Sequence, residues 1–125
     1  MTIAERFASA LAEVTHPALA GPELLPVRLA RACARTLSVE DASLSLVDAS
    51  QQRIPLGASS AVAEVAERLQ FTVGAGPCMT AQEVQEPVFA ELLFGATPFR
   101  AIVALPLQPA LAGAGAIDLY FRRSA

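Results

Sequence analysis

The chain has 125 residues and a formal net charge of -3, with 54% hydrophobic and 17% charged residues. This composition indicates one packed domain rather than a disordered chain. The acidic balance offers no overall field to hold a polyanion, so we expect no direct nucleic-acid binding. No apolar run approaches the roughly 18 residues of a membrane-spanning helix, and Glu5 and Glu13 interrupt the N-terminal apolar pattern, so we expect a cytoplasmic protein.

The metal-binding residue types are scarce in this sequence. It contains Cys33, Cys78 and a single histidine, His16. An ordinary zinc site needs four Cys or His ligands, and the cysteines of a cytoplasmic protein stay reduced. We therefore expect no metal site, no cofactor and no disulfide.

The first part of the chain, residues 1–38, is predicted to be helical. Thr2 begins a capping box, and the helix that follows should end before Pro17, because the residue before a proline disfavours helical backbone. Pro26 suits the first turn of a second helix, which should reach about Leu37.

Arginines recur on one side of this second helix. Arg28, Arg31 and Arg35 form a stripe, whereas Cys33 lies on the face predicted to be buried. Charge runs of this kind are usually solvated, so we interpret the stripe as a solvated face rather than a partner site. Cys33 is interpreted as a packing residue.

Residues 39–123 carry the pattern of a sheet core. Apolar and polar residues alternate in ASLSLVD, which predicts a strand, and a short return strand contains Pro55, which favours an edge or a bulge. Ser60 should cap a third helix whose buried face includes Val62, Val65, Ala66 and Leu69, with a Glu64–Arg68 pair on its exposed side.

The central stretch FTVGAGPCMTAQEVQEPVF should contain a connection over residues 71–76, then a short helix from Pro77 to about Val84 and a strand at PVFA. Gly74 and Gly76 are interpreted as turn residues. The last third, with RAIVALPL and AGAIDLYF, reads as a hairpin. Leading helices followed by strands joined as hairpins predict an α+β fold.

Taken together, these segments resemble a GAF domain of the actinobacterial kind that often accompanies an RNA-binding ANTAR antiterminator module. The segments that carry the resemblance are DASLSLVDAS, LQFTVGAGPCMTAQEVQEPVFAEL, IVALPL and GAIDLYFRR, spread over residues 25–123. The resemblance implies a five- or six-stranded antiparallel sheet, helices on one face and a small-molecule pocket on the other. It also implies a regulatory role and a homodimer formed through the N-terminal helices.

The sequence departs from that family in ways that limit the ligand. The loop LFGATPFRA is about ten residues shorter than usual, so the pocket roof is expected to be reduced. The Asn and Lys of cyclic-nucleotide-binding members are missing, Met79 replaces the histidine of bilin-binding members, and His16 lies outside the core where a haem ligand would be needed. No ANTAR, kinase or cyclase module follows, so the output is expected to be a separate protein.

The candidate ligand-binding residues follow from the resemblance and from strand periodicity. Asp118 and Tyr120 share one face of the last strand, where Asp118 can orient a ligand or pair with an arginine such as Arg100. Cys78 is interpreted first as a buried packing residue and second as a redox thiol. The complete candidate set is Phe71, Cys78, Phe89, Phe99, Asp118 and Tyr120.

We therefore expect a single domain over residues 1–125 that acts as a non-catalytic bacterial sensor for an unknown small molecule. One alternative is a degenerate GAF domain that serves as a dimerisation or docking scaffold without a ligand. A second alternative is a thiol enzyme similar to free methionine-sulfoxide reductases. It is disfavoured because a nucleophilic Cys78 has no resolving cysteine in the closing strands.

Overall fold

The computed structural model describes residues 1–47, 53–73, 77–91, 98–107 and 114–122, and for residues 47, 53, 69–73, 77–79 and 114 it describes the backbone alone. This part of the chain forms four α-helices and five strands: α1 (Ile3–Val14), α2 (Leu25–Leu37), β1 (Asp41–Val47), β2 (Arg53–Ala58), α3 (Ala61–Val73), α4 (Pro77–Val84), β3 (Val88–Glu91), β4 (Ala101–Pro106) and β5 (Ala114–Phe121). Short 3₁₀ helices at Pro17–Leu19 and Pro22–Leu24 connect α1 to α2. The predicted order of helices and strands is confirmed.

The start of α1 follows directly from its first residues. The backbone N–H of Glu5 donates to Thr2 Oγ1 at 3.1 Å, and the Glu5 carboxylate reaches back to the cap, which confirms the capping box. α1 ends at Val14, before Pro17, as predicted. α2 carries Pro26 in its first turn, where a proline costs the helix no hydrogen bond.

The arginines of α2 make contacts with neighbouring segments of the protein. Arg28 donates to two backbone carbonyls of the loop before α2, and Arg31 Nε donates to the carbonyl of Ser59 at 3.2 Å. Arg35 pairs with Glu13 of α1 at 3.0 Å, and both of these side chains are more than half exposed. The expectation of a merely solvated stripe is wrong for Arg28 and Arg31, because their guanidinium groups satisfy backbone acceptors of neighbouring segments.

The strands form one antiparallel sheet in the order β2-β1-β5-β4-β3. In the register of β1 with β2, Leu44 pairs with Gly57 and Ser45 with Pro55, so Leu56 is the extra residue of a bulge. A proline at this position loses no ladder hydrogen bond, and the prediction of an edge strand or bulge is confirmed for the described residues. The α+β architecture with a five-stranded antiparallel sheet is also confirmed.

Helices cover both faces of this sheet. On one face Ala34 of α2 packs against Ala42 and Leu119. On the other face Ala66 of α3 belongs to a buried cluster that includes Tyr120. The face on which the resemblance implies a pocket is thus covered by α3 next to β1 and β2. α4 contacts β3, β4 and β5.

The buried side of α3 differs from the predicted one. Ala63, Ala66 and Glu67 are buried, whereas Val62 is 37% exposed and Val65 is 42% exposed. The small alanines let the helix approach the sheet closely, and Glu67 finds a hydroxyl partner there. The predicted burial is therefore right for Ala66 and wrong for Val62 and Val65, and the side chain of Leu69 lies outside the described part of the chain.

Other features of α3 agree with the sequence. Ser60 Oγ accepts a hydrogen bond from the N–H of Ala63 at 3.1 Å, which confirms the cap. Glu64 and Arg68 form the predicted ion pair at 2.5 Å. The helix continues to Val73, however, so the connection predicted over residues 71–76 begins at least three residues later.

Several predictions fall outside the described residues: the turn over residues 48–52, the roles of Gly74 and Gly76, most of the shortened loop (residues 92–97) and the connection over residues 108–113. Within the part of the chain that the structure describes, no helix is long and apolar enough to cross a bilayer.

Candidate functional site

Polar side chains line up on the face of the sheet beneath α3. In the β1–β5 register Ser43 lies opposite Asp118, and Asp41 lies opposite Tyr120. Residues that face each other across an antiparallel pair point to the same side of the sheet. Ser43, Asp118 and Tyr120 are all completely buried. The centre of this face therefore carries buried polar groups, although the alternation of polar and apolar residues alone would allow it to face solvent.

A hydrogen-bonded chain connects this face to α3. The hydroxyl of Ser43 donates to Oε1 of Glu67, and Ser43 Oγ lies 3.3 Å from the hydroxyl oxygen of Tyr120. A serine hydroxyl has one proton, so when Ser43 donates to the carboxylate it accepts from Tyr120. Ser43 thus connects Tyr120 in the last strand to Glu67 in the helix. We call these residues the buried polar chain.

Aromatic rings fill the sheet face beside this chain. The rings of Phe99 and Tyr120 lie 4.9 Å apart, tilted by 32°, and Phe99 is only 2% exposed. The guanidinium carbon of Arg122 lies 5.7 Å from the centre of the Phe99 ring, within the range of a cation–π contact. Among the described residues, Phe99 and Tyr120 therefore occupy part of the sheet face beneath α3.

A cleft opens at the side of the sheet next to β2. Its volume is about 350 Å³, and it lies between the segment that leads into α2, the edge strand β2 and the helix α3. Leu24, Val27 and Leu56 form much of its apolar wall. Small-molecule sites typically have volumes of about 300–1,000 Å³. The cleft is thus large enough for a small ligand.

Carboxylates dominate the charge of this cleft. Glu23, Glu64 and Glu67 line it, together with the guanidinium of Arg68. Arg68 is engaged by Glu64 at 2.5 Å, and these two side chains are 72% and 57% exposed. Glu67 differs from them because it is only 2% exposed and also belongs to the buried polar chain. The cleft and the chain meet at this carboxylate.

The structure brings together some of the residues predicted as a ligand site. Phe99, Asp118 and Tyr120 are buried on the face beneath α3. Phe89 pairs with Val103 in the β3–β4 register and is therefore on the opposite face, where it is 52% exposed. Grouping Phe89 with the other candidates is thus not supported by the geometry.

Two more candidates are placed by their backbone. Phe71 lies in α3 and Cys78 in the first turn of α4, and their side chains are outside the described part of the chain. Arg100, considered as a partner for Asp118, is exposed, and its N–H donates to the carbonyl of Phe121 at the far end of β5.

Sequence reasoning missed Ser43 and Glu67. The serines of ASLSLVD were treated only as part of an alternation, and Glu67 was not assigned to any face. Polar residues at alternate positions of β1 and β5 ordinarily predict a solvated sheet face, so periodicity gave no signal for their burial. The partner on α3 could not be found this way, because its position depends on the rotation of the helix.

Thiol and metal chemistry are limited in the described residues. Cys33 is a free thiol packed against the α2 face of the core, and burial raises the pKa of this thiol above its usual value of 9.0. In the ranges that the structure describes, no group of three or more His, Cys, Asp or Glu side chains is arranged to hold a metal ion.

Comparison with known proteins identifies the fold. No protein-family model matches the chain, and no curated protein matches it. Among solved structures it is similar to the GAF domain of a phosphoenolpyruvate-protein phosphotransferase from Coxiella burnetii, with 16% identity and a TM-score of 0.60 over 99% of this chain and 82% of that one. The corresponding domain from Acinetobacter has 10% identity and a TM-score of 0.61 over 100% and 81%.

A third similar structure is the A. aeolicus nlh2 GAF domain in an inactive state, with 13% identity and a TM-score of 0.56 over 99% of this chain and 84% of that one. These similarities extend over nearly all of the chain, and identities this low are informative about architecture alone. The chain therefore has the fold of a GAF domain.

Proposed function

We propose that this chain is a non-catalytic sensor domain of a bacterial cytoplasm, which binds a small molecule and regulates a separate protein. The observation that carries the proposal is the position of Glu67. This carboxylate lines an open cleft and also accepts a hydrogen bond from the completely buried Ser43. A ligand that contacts Glu67 would thus act directly on the buried centre of the sheet.

The proposed signal passes through the buried polar chain. A ligand that draws Glu67 towards the cleft weakens its contact with Ser43 and thereby alters the position of Tyr120, whose ring packs on Phe99. Phe99 belongs to the loop LFGATPFRA, whose ordering we expect to change with occupancy. A ligand can drive such a change only when it binds the two arrangements of the loop with different affinities.

The output surface is expected to be the helical pair α1 and α2. α2 packs against β1 and β2, and α1 packs against α2, so a shift of the sheet is passed to these helices. Ile3 is 64% exposed on α1 and offers apolar surface to a partner or to a second copy of the chain. Both a homodimer and a separate output protein are compatible with this surface.

The similar structures and the sequence motif support a regulatory role. Two of those structures come from phosphotransferases, and a third was captured in an inactive state, so that protein has more than one state. The motif LQFTVGAGPCMTAQEVQEPVFAEL resembles actinobacterial GAF domains that accompany ANTAR modules. A regulatory domain of that group is the function proposed for this chain.

A second candidate is a scaffold that dimerises without a ligand. One observation favours it: the packed rings of Phe99 and Tyr120 occupy part of the face beneath α3, where the resemblance implies a pocket. In that case the cleft beside β2 would be only a surface feature. The scaffold would use the same helices for dimerisation but would not respond to any small molecule.

Native mass spectrometry of freshly purified protein, paired with the denatured mass, distinguishes the two candidates. The sensor predicts additional mass that disappears on denaturation, or a small-molecule-dependent change in the fraction of dimer. A bare polypeptide dimer that no metabolite extract alters would contradict the sensor and support the scaffold. Additional mass that survives denaturation and maps to Cys78 would contradict the non-catalytic assignment.

A further inference from the structure

We propose that Ser59 couples α3 directly to α2, so that a movement of Glu67 reaches α2 by this route as well as through the sheet. This inference rests on the proposed sensor function and specifies how its signal is transmitted. Ser59 lies between the end of β2 at Ala58 and the start of α3 at Ala61.

Every polar group of Ser59 makes a hydrogen bond with α2 or β1. Its carbonyl accepts from Nε of Arg31 in α2 at 3.2 Å. Its N–H donates to the carbonyl of Ala42 at 2.8 Å, and its hydroxyl oxygen accepts from the N–H of Ala42 at 2.9 Å. The same hydroxyl donates to Oδ1 of Asp41 at 2.5 Å. We call Ser59 with these three partners the Ser59 anchor.

A second contact holds the same segment of the chain against α2. Gly57 lies so close to α2 that an added Cβ atom would be 2.9 Å from Pro26 Cβ and 2.9 Å from the backbone nitrogen of Val27. Val27 and Arg31 are separated by about one helical turn, so they lie on the same side of α2. The connection from β2 to α3 therefore runs along one side of α2 and is fixed there by contacts at Gly57 and at Ser59.

α3 begins directly after the Ser59 anchor. Ser60 caps the helix, because its Oγ accepts from the N–H of Ala63 at 3.1 Å. Glu67 lies about 9 Å along the helix from Ala61, at a rise of about 1.5 Å per residue. A displacement of Glu67 therefore tilts α3 about its anchored end. Arg31 receives this movement because it binds the residue that leads into the helix.

The next arginine of α2 offers a natural contrast to Arg31. Arg31 is half-buried, and a hydrogen bond from a charged donor is stronger than one between neutral groups. Arg35 pairs with Glu13 of α1, and both of those side chains are more than half exposed. Exposed ion pairs contribute little to stability. Arg35 is thus a matched control, an arginine of the same helix whose described contact is with α1 rather than with the segment that leads into α3.

Hydrogen exchange of the full chain labelled with ¹⁵N tests whether the anchor holds α3. Arg31→Met removes the donor and keeps a side chain of similar length. The backbone N–H groups of Ala66 and Glu67 should exchange about tenfold faster in this variant, because the loss of a hydrogen bond from a charged group favours local opening of α3. Arg35→Met should change these rates by less than about twofold. Equal effects of the two variants would overturn the anchor.

A second measurement follows a perturbation from Glu67 to α2. Glu67→Gln alters the contact with Ser43, and the shifts that it causes in the amide resonances of α2 are recorded in the wild type, in Arg31→Met and in Arg35→Met. We expect Arg31→Met to reduce these shifts by about half or more and Arg35→Met to leave them unchanged. A merely structural role of Arg31 would move the α2 resonances themselves but not their response to Glu67→Gln.

Substitute variants keep the test decisive if one protein does not fold. Arg31→Lys has a methylene group at the position of Nε and keeps the charge, so it should also reduce the response of α2. Ser43→Ala can replace Glu67→Gln as the perturbation, because it removes the same hydrogen bond from the other side.

The outcomes separate the anchor from the sensor function. An α2 response of equal size in the wild type and in both arginine variants would overturn the anchor and leave the sheet as the route, so the sensor function would survive. The absence of an α2 response in every background would overturn both the anchor and the proposed output surface.

Discussion

Ser43, in β1, donates a hydrogen bond to the carboxylate of Glu67, in α3, across a separation of 24 residues. Hydrogen bonds to buried charged groups contribute about 1.5–3 kcal/mol, so Ser43→Ala should lower the free energy of unfolding by this amount. Urea denaturation of Ser43→Ala, Glu67→Gln and the double variant measures their coupling. The coupling should reach about 1 kcal/mol, and additivity within about 0.3 kcal/mol would contradict a direct contact.

The hydroxyl and the ring of Tyr120 should have separable effects. Tyr120→Phe removes only the hydroxyl and should cost about 1 kcal/mol of unfolding free energy. Phe99→Ala removes a ring that is 2% exposed and packed 4.9 Å from the ring of Tyr120, so it should cost about 3–5 kcal/mol. Denaturant unfolding of both variants measures the two losses of unfolding free energy. A larger loss for Tyr120→Phe than for Phe99→Ala would show that the buried polar chain contributes more to stability than the aromatic packing.

Gly57 allows β2 to lie directly against the start of α2. A Cβ atom at this position would lie 2.9 Å from Pro26 Cβ and 2.9 Å from the backbone nitrogen of Val27. Gly57→Ala should therefore cost about 1–3 kcal/mol, because two backbone segments must separate. The change in unfolding midpoint measures this cost.

Gly21→Ala is the matched control for that substitution. Its added Cβ meets only the flexible end of the Glu23 side chain, and its backbone φ of -62° suits any residue. We expect a change within about 0.5 kcal/mol. A loss at Gly21 as large as that at Gly57 would refute the explanation by backbone contact.

Cys33 should make the fold sensitive to alkaline pH. Burial raises the pKa of this thiol above 9.0 in the folded state, so the folded protein holds the proton that the unfolded chain releases first. Its contribution is complete below pH 9 and is lost as the pH rises from there through the folded-state value. Unfolding of the wild type and of Cys33→Ala, at pH 8 and pH 10 under reducing conditions, should show a smaller loss in the variant. Equal losses would contradict this role.

Local signals made most helices and strands predictable. The capping box at Thr2, Pro26 in the first turn of α2 and Pro77 at the start of α4 each encode a boundary through their own backbone chemistry. The bulge opposite Leu44 could be anticipated from Pro55, since a proline has no N–H to donate to a ladder. Such features depend on neighbours in sequence and therefore need no tertiary information.

The site depended on information that is not local. Val62, Val65 and Ala66 have the spacing of a buried helix face, yet the two valines are exposed and Ala66 is buried together with Ala63 and Glu67. Phe89 was grouped with Phe99 although its register places it on the other face. Helix rotation and strand register are set by packing between distant segments, and periodicity within one segment cannot supply them.

The central position of β5 has a consequence for synthesis of the protein. Ser43 and Tyr120, which meet in the folded sheet, are 77 positions apart in sequence. In a nascent chain β1 can pair with β2, but its other edge has no native partner until β5 has left the ribosome. An exposed edge of this kind invites association with other chains. The interval between the emergence of this hairpin and the emergence of β5 should therefore be the stage that most needs protection by a chaperone.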